Sequence, residues 1–186
     1  MYVKEMLKIS DITIKPLTKE NVDLVDGFFC GNDAINKFLK KDALEKQDIR
    51  TYLFIWENKL IGYFSVSASG ISIMNGPKKK YNLSAIEIKF FAIHEEYHHM
   101  YFDKEGEDAK EKFYLSDVLL AQVIDFIIDN ICNIVGVYAI ILYSVPTAVP
   151  LYTRSNFQPF INLMIPDEKY YLEGCIPMFV RIQDIE

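Results

Sequence analysis

His94-Glu95-Glu96-Tyr97-His98 is the stretch of this sequence whose residue types and spacing speak most directly of chemistry. On an α-helix, two histidines four apart share a face and can grip a zinc ion, while the glutamate beside them activates a water for hydrolysis. Three features weigh against that reading. Glu96 puts a charge at an inner position that is usually uncharged in such sites, and the residues before His94 alternate as a strand does. No third ligand stands out, although Glu105, Glu107 and Glu111 follow downstream. The pair therefore reads as histidines in a solvated loop at the mouth of a cleft, no metal is assigned, and a zinc hydrolase is kept as the minority alternative. Cys30, Cys132 and Cys175 form no ligand spacing, and their odd number suits a reducing cytoplasm better than a disulfide framework. Lys78-Lys79-Lys80 is the one clear basic run, and reads as a solvated loop.

The elements that must position any site follow from periodicity and punctuation. Ile12, Ile14 and Leu17 among polar residues predict a strand over about 10–17, and Asn21 to Asp26 a short helix. Asn32 is a good helix cap ahead of Ile35, Phe38, Leu39 and Ala43, which recur at helical spacing and predict a helix over about 33–47. Tyr52–Trp56, the turn Glu57-Asn58-Lys59 and Leu60–Ile73 predict an antiparallel hairpin, with Gly62 and Gly70 as bulges or points of close approach. Ala85–Ile93 is a third strand, followed by a charged surface insertion at about 94–112. From Ser116-Asp117 onward, Leu119, Leu120, Val123, Ile124, Ile127, Ile128 and Ile131 hold one apolar helix face. Val137–Val145 reads as a strand buried on both sides, Thr147 as the cap of a short helix through Arg154, and Phe157–Ile165 and Ile176–Ile182 as closing strands.

Composition bounds the function. The 186 residues fit one domain at roughly 150 residues per domain. With 51% hydrophobic and 25% charged residues, the chain is neither disordered nor fibrous. Twenty basic against 26 acidic residues leave a net charge of -6, which disfavours wholesale attraction to nucleic acid. The first residues lack the apolar core of a signal peptide. The long apolar stretch Val118–Val145 is broken by Asp125, Asp129, Asn130 and Asn133, so no membrane span is expected.

Three stretches in this order resemble the GNAT superfamily of acetyl-CoA-dependent N-acetyltransferases, over nearly the whole chain. Phe29-Cys30-Gly31-Asn32-Asp33-Ala34-Ile35-Asn36-Lys37-Phe38-Leu39, with Gly62-Tyr63-Phe64-Ser65, looks like the opening of a subgroup that includes toxin-antitoxin acetyltransferases. Glu87-Ile88-Lys89-Phe90-Phe91-Ala92-Ile93 is similar to the family's central strand. Ala148-Val149-Pro150-Leu151-Tyr152-Thr153-Arg154-Ser155-Asn156-Phe157 resembles its terminal Ala, Tyr and Gly-Phe pattern, with Asn156 where glycine is frequent. The resemblance implies an α/β single-domain fold over 1–186, with a central mixed, mostly antiparallel sheet flanked by helices. It implies acetyl-CoA lying between splayed strands 85–93 and 137–145, its pantetheine amides pairing with the backbone of Phe91 and Ile93 around Ala92. It further implies direct attack of an amine on the thioester, with Tyr152 as the acid for the leaving thiolate and Glu87 as the base.

The chain departs from the family at the pyrophosphate loop, Gln/Arg-x-x-Gly-x-Gly/Ala before a helix with paired leucines. Counting back from Leu119-Leu120 gives Glu111-Lys112-Phe113-Tyr114-Leu115-Ser116, with Tyr114 and Ser116 in the glycine places. Lys112, Tyr114, Leu115, Ser116 and Asp117 are the residues expected around the phosphates, where a helix start offers N–H donors. The acceptor expected is a small-molecule or protein amine, with aminoacyl-tRNA left open. A homodimer through sheet edges is common in such folds, and a GNAT-fold binding module without activity is the main alternative.

Overall fold

The hairpin at the centre of the chain turns on two residues. Glu57 and Asn58 have φ values of 47° and 63°, and paired left-handed residues match the twist of the two strands they join. A computed structural model of the chain describes residues 8–75, 79–103, 112–164 and 172–185. Strand β1 is Thr13–Pro16, β2 Arg50–Trp56, β3 Lys59–Asn75 and β4 Lys79–Ile93; β7 is Ala139–Ser144, β8 Gln158–Pro159 and β9 Ile176–Arg181. They form a seven-stranded sheet in the order β1-β2-β3-β4-β7-β9-β8, and β5, Tyr101–Asp103, pairs with β6, Lys112–Tyr114, in a separate ribbon. β4 and β7 run parallel, Ala85 facing Ala139 through Ile88 facing Leu142. The β1–β2, β7–β9 and β8–β9 pairs are antiparallel. A parallel pair needs a crossover, and helix α2, Leu115–Ile127, provides it. The mixed, mostly antiparallel sheet flanked by helices is the one expected.

The contacts divide the chain into two compact units, residues 1–65 with 90–118, and residues 66–89 with 119–186. In the first, Val25, Phe28, Phe38, Leu39, Leu53, Ile55, Tyr63 and Ala92 make one buried cluster. Helix α1, Asp33–Lys37, starts as its sequence predicts, because the Asn32 side chain accepts from the amides of Ala34 and Ile35 at 3.0 and 3.2 Å. Tyr63 is fully buried and its hydroxyl donates to the Ile35 carbonyl at 3.0 Å, which pins α1 to β3. In the second unit, Ile71, Ala85, Ala139, Ile141, Phe160, Met164 and Leu172 pack on one face of the sheet. Along α2, Leu119, Leu120, Val123 and Ile127 are fully buried, and β7 is buried from Ala139 to Leu142 as expected of a strand covered on both sides.

Several boundaries differ from the sequence reading. The first strand starts at Thr13, since Ile9–Asp11 form a 3₁₀ turn, and Asn21–Asp26 reduces to a 3₁₀ turn at Val22–Val25. The helix expected over 33–47 is α-helical to Lys37 and then widens to a π turn over Phe38–Asp42, where the Ala43 amide bonds five residues back to Phe38. β4 begins at Lys79, earlier than its apolar pattern, and its polar start is tied to β3 by Ser72 and Asn82 at 2.9 Å. Thr147 is not a cap: it lies in a 3₁₀ turn, Pro146–Ala148, and helix α3 runs Val149–Arg154. Only Gln158–Pro159 of the expected 157–165 strand pairs as one, because Pro159 has no amide to donate and the chain turns at Phe160, whose carbonyl takes the Leu163 amide. Within 94–112 the described residues form a 3₁₀ turn, β5 and β6; Glu105, Glu107 and Glu111 lie outside them, as does Lys78.

Candidate active site

At the end of β4 the direction of each peptide group follows from one bond. The His94 amide donates to the Ile61 carbonyl of β3 at 2.9 Å. Backbone groups alternate along an antiparallel strand, so Ala92 also turns to β3, while Phe91 and Ile93 turn to the opposite edge. Gly62 fits this approach: a Cβ there would stand 2.8 Å from the Ala92 carbonyl oxygen, closer than real side chains come. Gly62 is thus the close-approach point expected. On the far edge the Ile93 carbonyl accepts from His98 Nε2 at 2.8 Å. The register of β4 with β7 ends at Ile88 and Leu142, five residues before Ile93.

His94 and His98 therefore sit on a strand end and a 3₁₀ turn, and not on a helix. His94 Nε2 lies 3.3 Å from the Gly27 carbonyl, and its Nδ1 accepts from the Glu96 amide at 3.3 Å. Among the described residues no group of three or more His, Cys, Asp or Glu could hold a metal ion. The loop reading of these histidines agrees with this placement, and only the bond from His98 to the Ile93 carbonyl was not foreseen.

The segment expected to meet the phosphates has a defined form. β6 leads into α2 with no intervening glycine loop, and Tyr114 takes the capping position. Its amide donates to Asp117 Oδ2 at 3.2 Å, the reach-back of a carboxylate at the third helical position. The Leu115 amide donates to the Met100 carbonyl at 2.9 Å, and Leu115 is fully buried. The remaining first-turn amides, those of Ser116 and Asp117 among them, have no intrahelical partner by helix geometry. Lys112 follows on β6 with Asp103 opposite it on β5.

Glu87, on β4 opposite Ile141 of β7, is 6% exposed. Its Oε1 meets Lys89 Nζ at 2.7 Å, and Ser69 Oγ on β3 donates to Oε2 at 3.2 Å. A buried carboxylate needs such partners. Ser69 and Lys89 were not singled out from the sequence, although Lys89 shares the face of Glu87 by the two-residue alternation of a strand. Ile71, Ile73, Leu83 and Phe179 fall on that face by the same alternation and line a cavity of about 320 Å³, with Arg181 and Asp184 also in its wall.

Tyr152, in α3, is 8% exposed, and burial pushes its phenol up to about 12. Its ring meets Phe157 edge-on at 6.0 Å. The helix ends on Asn156 at φ 64°, so asparagine supplies the left-handed residue of the helix end, a conformation glycine adopts most readily, and the Phe157 amide closes back on the Tyr152 carbonyl at 3.0 Å. No hydrogen bond or ion pair joins Tyr152 to Glu87 among the described residues. Phe91–Ile93 and Lys112–Asp117 belong to the first unit, Glu87 and Tyr152 to the second.

No family model and no curated protein matches this sequence. Solved structures do. A tyrosine-to-phenylalanine variant of the AtaT toxin has a TM-score of 0.70 and 18% identity, with 100% of this chain and 96% of that one covered. AtaT complexed with acetyl-methionyl-tRNAfMet has a TM-score of 0.67 and 20% identity, covering 94% and 97%. AtaTR bound with AcCoA has a TM-score of 0.64 and 18% identity, covering 95% and 96%. Likeness of this extent establishes the fold: the chain folds as these toxins do, which is the GNAT fold to which its motifs pointed.

Proposed function

We propose that the protein is an acetyl-CoA-dependent N-acetyltransferase that passes an acetyl group to a primary amine by direct attack on the thioester. The observation that carries this reading is the likeness along essentially the whole chain to a toxin solved with AcCoA. The backbone of β4 supports it. Phe91, with Ala92 turned away between the two, offers an amide and a carbonyl to the pantetheine arm, and Ile93 offers its amide, its carbonyl being held by His98. At the phosphate end the first-turn amides of Ser116 and Asp117 are the donors, at the point where the strand Lys112–Tyr114 passes through Leu115 into the helix.

Acetyl-CoA supplies the activated acyl group. The amine nitrogen bonds to the acyl carbon, the carbon–sulfur bond breaks, and one proton must leave the amine while another reaches the thiolate. Tyr152 is assigned the second task, since a phenol carries its proton throughout the neutral range, and burial, which pushes it up to about 12, holds that proton more tightly. Glu87 is assigned the first, with Ser69 and Lys89 fixing its carboxylate. The cavity farther along the sheet face of Glu87, walled by apolar residues with Arg181 and Asp184, is assigned to the body of the acceptor. The charge of -6 argues for a compact small-molecule or protein amine rather than an extended tRNA surface. One neighbour was solved with an acetylated aminoacyl-tRNA, so that acceptor belongs in the test.

A second reading, a GNAT-fold binding module, is favoured by one feature: Tyr114 stands where the resembled family keeps glycine, and its amide is taken by the Asp117 carboxylate. Calorimetric titration with acetyl-CoA, followed by thiol release with a panel of amines and charged tRNA, separates the two. Micromolar binding with amine-dependent thiol release is expected. Absence of binding would leave the module.

A further inference from the structure

We propose that Lys89 is a built-in counter-ion for Glu87 that the ammonium of the acceptor displaces, with Ser69 holding the second carboxylate oxygen in place throughout. The proposal rests on the acetyltransferase reading only for the identity of the incoming amine. The cation site itself stands on the geometry.

Glu87 sits in mid-strand, its side chain 8% exposed, and a carboxylate so buried requires a cation or several donors beside it. Ser69 provides one donor at 3.2 Å, and Lys89 provides the cation at 2.7 Å. The two partners differ in kind. Ser69 lies on the neighbouring strand β3 with a short side chain that cannot leave. Lys89 is 38% exposed along its side chain, on a flexible four-carbon stem, and its ammonium can swing into water at little cost. Once it does, Glu87 cannot follow and must take another cation.

What fits the vacated position is a group with the size and three donors of the lysine head, which defines the ligand class as primary ammonium. A quaternary ammonium has no N–H to give to Oε1, and a bare sodium ion holds its water. Ile71, Ile73 and Phe179 lie farther along the same sheet face and line a cavity that Glu87 and Lys89 do not themselves line, so the remainder of the amine would extend toward it. Lys89 then acts through Glu87 as a positioning residue: it keeps the carboxylate aimed before the acceptor arrives.

The test is a thermal-shift titration of full-length Lys89→Met with methylammonium, tetramethylammonium and sodium chlorides at equal ionic strength. Methylammonium at tens of millimolar is expected to raise the melting temperature of Lys89→Met by several degrees more than either other salt. It should move wild type by less, because Lys89 competes for the site, and leave the double variant Glu87→Gln/Lys89→Met unmoved. Equal responses of all three proteins would overturn the proposal and make the pair a static ion bridge. Lys89→Gln, a milder change, carries the same comparison if Lys89→Met does not fold. These readouts need no acetyl-CoA, so they stand apart from the function proposed above. With turnover in hand, Lys89→Met should lower the acceptor KM at least threefold with kcat changed less. An unchanged or raised KM would contradict displacement.

Discussion

Removing the charge of Asp117 while keeping its hydrogen bond should strengthen binding of acetyl-CoA. In the structure the carboxylate accepts the Tyr114 amide at 3.2 Å at the start of α2, where a phosphate would seek the same kind of donor. A phosphate held by the neighbouring first-turn amides of Ser116 and Asp117 would stand about 4–5 Å from that carboxylate. At that separation two unit charges repel by about 1 kcal/mol in water-like screening and about 4 kcal/mol at an effective dielectric of 20. Asp117 is half-buried at a helix end, so the low part of that range applies, roughly 1–2 kcal/mol. Asp117→Asn retains an oxygen for the Tyr114 amide and loses the charge, so the dissociation constant should fall by about five- to thirtyfold. Calorimetry at 50 and 300 mM salt is the assay. The gain should shrink at high salt and be absent for a pantetheine thioester without phosphates. An affinity that is unchanged, or that falls, would refute the placement of the pyrophosphate at this helix start.

Four other outcomes follow from the geometry. Tyr152→Phe should lower turnover by a factor of about 100 or more at unchanged acetyl-CoA affinity, as expected for loss of a general acid; equal turnover removes the assignment. The same phenol bears on stability: its proton is held more tightly folded than unfolded, so its contribution is complete below an ordinary phenol value near 10 and is lost as pH rises toward about 12. The loss is on the order of 2–3 kcal/mol, and alkaline melts of Tyr152→Phe should lack it. Gly62→Ala must push on the Ala92 carbonyl and should cost about 1–3 kcal/mol in denaturant melts while weakening acetyl-CoA binding. Asn32→Ala removes both cap bonds of α1, for about 1 kcal/mol lost and no change in KM.

The strands carried their own signature where alternation and length were strong: β2, β3 and β7 were placed within three residues of their bounds. The helix start at Asn32 was legible because a side-chain cap is a local event. What failed to show was set by partners distant in sequence. The polar beginning of β4 is a strand because β3 lies beside it, and no residue in Lys79–Ser84 says so alone. The apolar run over 157–165 read as a strand, and it masked the turn that follows Pro159 at Phe160. At the candidate site, Glu87 and Tyr152 came from family likeness, whereas Ser69 reaches Glu87 only after 18 residues of hairpin have folded back. The histidine pair was read correctly as a loop, because four-residue spacing has its metal-binding meaning only on a helix and the residues before His94 alternate as a strand does.

The two long strands impose an order on biosynthesis. β3 and β4 each contribute to both units, so the first unit, begun with residues 1–65, is finished only by residues 90–118. At roughly 5–20 residues per second, a ribosome needs about 1–5 s to travel from Ser65 to Phe90. A hairpin such as β2–β3 closes in about 1–10 μs. The nascent chain therefore holds a formed hairpin rich in Leu53, Phe54, Ile61 and Phe64 for seconds before its covering strand exists. That interval is the one in which a holdase chaperone would have the most to protect.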